Sequence, residues 1–344
     1  MGLALFFSLN GCQIDYYWHL FQGQARIVLN CESIDALLAA SDLDPEIENK
    51  LIFIEEIREF AGEHIGLENT SSYTCYFDTE GQPISWNLSA SPPDRFEPYV
   101  WNFPIVGTVP YKGFFDKQLS LLERDELQSR GFDVIVRPVS AYSTLGFLSD
   151  PVLSTMLDYP EDSLVDLILH ELTHATVYAK GHTDFNESLA TFVGQTSSLI
   201  FLEQFYGPDT PLLRQARRRR TDVARFRAFM NTVVASLDSL YSLELPGKIV
   251  LDERQRVFHE AQEHYRSIRG DFKVVNYDGF LEWKINNARL LSYRRYHRDL
   301  ERFNKIYALK NQHMESALPV FKSCEDAENP WTCMQDSIDA YSRP

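Results

Sequence analysis

The chain has 344 residues and sets 33 basic against 49 acidic side chains, a formal charge of −16, with 44% apolar and 24% charged residues. That length buries a full hydrophobic core without a disulfide scaffold, and the composition excludes wholesale disorder and low-complexity classes. So negative a field repels a phosphate backbone, which argues against nucleic acid as a partner.

No apolar run reaches the ~20 residues that a membrane-spanning helix needs. A shorter one, MGLALFFSLNG, opens the chain and ends at Cys12. Its length suits the apolar part of an export signal, and Leu9-Asn10-Gly11-Cys12 is similar to a bacterial lipobox. Residues 1–12 are therefore expected to be a lipoprotein signal remnant, with Cys12 lipidated and anchoring the protein to a membrane on the periplasmic side of a bacterial envelope. The competing reading is an apolar terminus with a chance cysteine. Export would let the other cysteines pair. Cys324 and Cys333 bracket the turn-rich CEDAENPWTC, so a local bridge pinning the tail is favoured, leaving Cys31 and Cys75 to pair or stay as buried thiols. No C-x-x-C spacing marks a structural zinc site.

From Ile14 to about Gly66 the pattern is helical, with Asp44-Pro45 starting an amphipathic segment whose Ile47, Leu51, Ile54, Ile57 and Phe60 recur at helical spacing. Between residues 71 and 113 Tyr, Trp, Thr and Val dominate, and the runs SYTCYFD and ISWNLSA predict a small antiparallel sheet. A helix follows from Phe115 to Ser129, then a strand in DVIVRPV. Beyond Pro160 the chain reads as helical, broken at Gly207-Pro208, at Pro246-Gly247 and in the 270s. The Arg-rich RQARRRR, Arg214 to Arg220, spreads its charge over every helix face and reads as a solvated helix. The expected fold is α+β and mostly helical. It forms one catalytic domain over residues 13–344: a β-containing part 71–160, metal-binding helices 161–206, a C-terminal helical bundle 207–323 and a tail 324–344.

The chemistry concentrates in DLILHELTHATVYAKGHTDFNESLATFVG. His170 and His174 lie four apart, so on one helix both imidazoles leave the same face at a separation that one zinc ion bridges. Glu171 points about 100° away, where a carboxylate takes a proton from a metal-activated water without binding the ion. Pro160, Asp162 and Ser163 start this helix and Lys180-Gly181 is expected to end it. A catalytic zinc takes a third protein ligand and keeps a position open. Glu187 in Asn186-Glu187-Ser188-Leu189-Ala190 is favoured, Asp184 is the runner-up, and His182 is read as a loop residue. Asp184-x-x-Glu187 also fits a capping box, in which Glu187 only closes a helix start. Thr191, one turn on, is a candidate hydrogen-bond partner for a zinc-bound imidazole, and the small Ala190 permits close helix approach.

On these residues the chain resembles the bacterial predicted-aminopeptidase family, lipoprotein-like proteins with a short-spaced gluzincin site. The resemblance runs through YYWHLFQGQARIV, PYKGFFD, AYSTLGFLSDPVLSTML, HELTH with FNESLA, and YDGFLEWKINNARLLSYRRYH. It implies a zincin-like catalytic core, one Zn²⁺ and an aminopeptidase acting on peptides. Asn102 and Thr108 stand where relatives commonly have a Cys pair, and the stretch from His174 to Glu187 is shorter than in other gluzincins.

Hydrolysis also needs a donor to the developing oxyanion. Tyr142 is the first candidate and Tyr296, with His297, the second; Asn286 and Asn287 are candidates for holding a peptide backbone or for a helix contact. The competing function class is a non-catalytic envelope lipoprotein that uses the fold as a binding or structural module. An intact Glu171 favours the enzyme, because structural zinc has no use for that carboxylate.

Overall fold

The computed structural model describes residues 11–40, 42–103, 107–139, 149–243 and 245–342, with only the backbone for 11–14. Residues 1–10, most of the expected signal remnant, the Cys12 side chain and Tyr142 lie outside the described residues. In chain order the elements are α1 Gly11–Asn30, β1 Glu32–Ser33, α2 Ile34–Leu38, α3 Pro45–Phe60, β2 Cys75–Phe77, β3 Trp86–Ser91, β4 Trp101–Phe103, β5 Gly107–Val109 and β6 Lys112–Phe114. Then come α4 Lys117–Ser129, β7 Asp133–Pro138, β8 Val152–Leu153, α5 Glu161–Thr176, α6 Thr183–Tyr206, α7 Pro211–Tyr241, α8 Gly247–Ile268, α9 Asn287–Arg295, α10 Leu300–Leu309, α11 Met314–Lys322 and α12 Pro330–Tyr341. The fold is α+β and mostly helical, with a helical C-terminal region.

Local chemistry sets the helix starts. Asp44 accepts the Glu46 N–H at 2.8 Å with Pro45 in the first helical position, so α3 begins where a capping side chain and a preset φ coincide. Its Leu51, Ile54 and Ile57 are fully buried, and they form one core with α5, α6 and α10–α12. A second core lies between α7, α8 and the 280s, and a third beneath the β3 sheet.

The β region is more divided than the sequence pattern predicts. β3 is the centre of an antiparallel sheet ordered β6-β3-β7, whereas β2, from SYTCYFD, joins β1 antiparallel and β8 parallel, with Tyr76 opposite Val152. Cys31, just before β1, is bridged to Cys75 in β2, which holds the two strands together. Cys324 is bridged to Cys333. Closing loops of 44 and 9 residues restricts the unfolded chain by about 4 and 3 kcal/mol respectively, so the first bridge contributes more. β4 and β5 form a separate hairpin in which Asn102 lies opposite Thr108 and accepts its hydroxyl hydrogen bond. Asn102 and Thr108 thus make a cross-strand contact held by a hydrogen bond.

One further reading changes, and the tail proves to be packed. In the tail Asn329 accepts the Trp331 and Thr332 N–H groups, Pro330 opens α12, and Trp331, Met334 and Ile338 enter the main core. The Arg214–Arg220 run is also more than a solvated face. Arg214 pairs with Asp209 and Arg217 with Glu203, while Arg219 reaches Asp162 at 2.7 Å and Arg220 reaches Asp166, tying α7 to α5.

Candidate metal centre

α5 carries the first two donors. Leu164, Val165, Ile168 and Leu169 are fully buried at helical spacing, which leaves His170, Glu171 and His174 on the remaining faces. The helix starts at Glu161 and ends at Thr176, earlier than the Lys180-Gly181 stop predicted. The cause is Asn186. Its side chain donates to the Ala179 carbonyl at 2.9 Å and accepts the Ala179 N–H at 2.8 Å, and Val177 is extended. Gly181, at φ +83°, then turns the chain into α6. This clamp folds the short connector back, so that Glu187 returns to the imidazoles after only twelve intervening residues.

His170, His174 and Glu187 come together, their ligand atoms all within 4.8 Å of one another. Glu187 Oε2 lies 3.4 Å from His170 Nε2 and 3.6 Å from His174 Nε2. Both distances exceed the usual range of an N–H···O hydrogen bond, roughly 2.7–3.2 Å. They match instead the edge of a tetrahedron of donors about 2.05 Å from a central ion, which is about 3.35 Å. Two imidazoles and a carboxylate are a donor set suited to a zinc-like ion. Burial would raise the Glu187 pKa, but the two imidazoles outweigh it and hold the carboxyl far below the usual range. Burial would likewise depress His170, yet Glu187, Glu171 and Asp166 carry its pKa upward.

Neighbouring candidates sort cleanly. Glu187 sits in the second turn of α6, so it is not the closing member of a capping box. Asp184 is ion-paired with Arg298 and accepts the Phe185 N–H at 2.9 Å, and it is not one of the grouped donors. His182 precedes the helix and also stands outside the group. Thr191 makes no hydrogen bond to either imidazole among the described residues, and His174 Nδ1 is sealed without a partner. Glu171 is half-buried beside the donors, and no hydrogen bond or ion pair engages it among the described residues. The two helices approach closely at Gly194. A Cβ at Gly194 would stand 2.7 Å from the Asp166 carbonyl and 3.1 Å from the His170 nitrogen.

The rim comes from distant segments. Tyr296, just after α9, stacks on His170 with ring centroids 6.1 Å apart. The Glu187 charge, then burial, pushes the Tyr296 phenol far above its ordinary pKa, so it stays protonated and able to donate. Tyr111, before β6, is raised by burial and by Glu187. Ser188 fixes this rim to α6, since its hydroxyl donates to the Arg295 carbonyl at 3.0 Å and accepts the Arg298 N–H at 3.1 Å. Asn286 and Asn287 are structural: Asn286 caps α9 and donates to Val134, while Asn287 is fully buried and bonded to Asp133, Pro92 and Tyr241.

His297 packs on Tyr293 at 4.4 Å with its Nδ1 sealed and without a partner among the described residues. Burial, reinforced by Arg227, lowers its pKa from 6.5 to about 4. The unfolded chain therefore binds a proton between those values that the folded chain refuses. The stabilising contribution is complete above about pH 6.5 and is lost as the pH falls toward 4, an effect of about 1 to 3 kcal/mol. Urea unfolding at pH 7 and pH 4.5 is expected to show this loss, and His297→Gln to reduce it.

A family model described as "Putative aminopeptidase" matches residues 15–329. Neither the curated proteins nor the solved structures returned a match.

Proposed function

Because the chain belongs to this aminopeptidase family, we propose that it is a zinc-dependent peptidase whose ion is held by His170, His174 and Glu187, with Glu171 as general base. The observation that carries the reading is the pair of Glu187 to imidazole distances, 3.4 and 3.6 Å, beside the Glu171 carboxylate, which no other group engages among the described residues. Bound zinc supplies Lewis-acid activation of the scissile carbonyl and of a water molecule. Glu171 accepts the proton that the attacking water releases and returns it to the departing amine. We assign the oxyanion donor to Tyr296, protonated and stacked on His170, ahead of Tyr142, the first candidate from sequence.

The same reading places the enzyme at a bacterial envelope, anchored through Cys12. Support comes from α1, which exposes Trp18, Phe21, Val28 and Leu29 along one side. Among the described residues no helix is long and apolar enough to cross a membrane.

Metal analysis of the purified protein, together with cleavage of a mixed peptide library read at both termini, tests the function. The expected result is one zinc per chain and products shortened from the amino end. Glu187→Ala should strip most of the zinc, while Asp184→Ala should leave it in place. Full zinc occupancy with no cleavage of any peptide would favour a non-catalytic binding protein.

A further inference from the structure

We propose that Arg137 and Arg295 form a carboxylate-binding subsite beside the metal centre, so that the preferred substrate is a short peptide presenting an anionic carboxylate near the scissile bond. The proposal rests on the peptidase reading and adds the substrate class.

Three residues link the arginines to the site. Tyr296 stacks on His170, and Ser292 lies one turn before Tyr296 on the same side of α9. The Arg137 guanidinium, from β7, donates to the Ser292 hydroxyl. Arg295 lies over the Tyr111 ring at 5.2 Å and donates to the Pro110 carbonyl at 3.2 Å. Glu187, Tyr296 and Arg295 all lie within electrostatic reach of Arg137. Two cations from separate elements thus converge on the wall that faces the donor group.

Their lack of carboxylate partners is the second observation. Burying a guanidinium without a counter-charge is expensive, and elsewhere this fold avoids it. Arg254, 4% exposed, is paired with Asp133 at 3.1 Å. Arg295 is 8% exposed and has no acidic partner among the described residues; Arg137, which is exposed, has no ion pair among them either. Arg289, stacked on Trp283 at 4.6 Å and near Arg137, is a third guanidinium without one. A chain with 49 acidic residues has no shortage of carboxylates to place there. Arg137 is exposed, so this wall is open to solvent on the Arg137 side. A planar fork of N–H donors matches a carboxylate two bonds at a time, which makes arginine suited to this task.

The carboxylate has two possible sources, the free C-terminus of a short peptide or an acidic side chain. Calorimetry on zinc-loaded Glu171→Gln separates them without turnover, using trialanine acid, trialanine amide, and the amide of Ala-Glu-Ala. Charge-assisted bonds of this kind predict that the acid binds about 10- to 100-fold more tightly than the amide. Restored binding of the Glu-containing amide would identify the side chain as the source. Arg137→Gln should abolish the preference while leaving zinc content unchanged. Equal binding of all three peptides, including no binding of any, or a preference that survives in folded Arg137→Gln, overturns the proposal. Failure of the unmutated enzyme to cleave any peptide would overturn the peptidase reading alone, since the binding preference is measured separately.

Discussion

Glu171→Gln is expected to keep its zinc and its fold while losing at least 10² to 10⁴ of its turnover, the usual worth of a positioned general base. Three observations make this substitution clean. The side chain is half-buried beside His170, His174 and Glu187 but is not one of the grouped donors, so metal affinity has no cause to change. No described residue bonds to its carboxylate, so the amide leaves no partner unsatisfied. Gln also preserves volume and can still hydrogen-bond the attacking water; what it cannot do is take up the proton. The measurement is kcat on the best library peptide with zinc content determined on the same sample. Wild-type turnover by metal-replete Glu171→Gln would remove Glu171 from the mechanism. Loss of zinc with loss of activity would make it a ligand instead.

Much of the centre is legible from spacing alone, because an i, i+4 pair on a helix has only one face to share. His170, His174 and the side position of Glu171 belong to that class. Glu187 is harder, since the same four residues fit a capping box, and only the observed start of α6 at Thr183 separates the two. The end of α5 is misread for a physical reason. Val177 and Ala179 continue an apolar pattern and are both buried, yet they do so in an extended segment, because Asn186 captures the Ala179 backbone. No periodicity argument sees a clamp between a side chain and a backbone seven residues earlier. β2 is similar: its alternation predicts a strand correctly, but its parallel partner β8 is far along the chain. That Arg137 and Arg295 have no carboxylate partner among the described residues is invisible in sequence, where an arginine without one looks like any other.

Gly194 is the other position missed by sequence, and its substitution sets two effects of opposite sign against each other. In mid-helix, Gly→Ala ordinarily stabilises by about 1 kcal/mol, because alanine restricts the unfolded chain and favours the helix. Here the new Cβ would stand 2.7 Å from the Asp166 carbonyl oxygen and from its carboxylate oxygen. The carboxylate can rotate away, but the carbonyl is part of α5 and can move only with the helix. Overpacking a tight contact costs about 1–3 kcal/mol, and a backbone obstacle belongs at the upper end, so Gly194→Ala should be net destabilising. The displacement has a direction as well. Asp166 lies one turn before His170, and the His170 nitrogen is itself 3.1 Å from the added atom, so α5 is pushed from α6 at the level of the metal donors. Glu187 is carried by α6, and the 3.4 and 3.6 Å separations that suit an ion should open. The expected result is a lower unfolding midpoint together with at least tenfold weaker zinc binding by competition with a chelator. Gly62→Ala serves as the control, because its Cβ would meet only the Leu67 carbonyl at 4.0 Å. If Gly194→Ala matches that control in both stability and zinc affinity, the close helix contact does not set the geometry of the centre, and the spacing of the donors must be held by the Asn186 clamp alone.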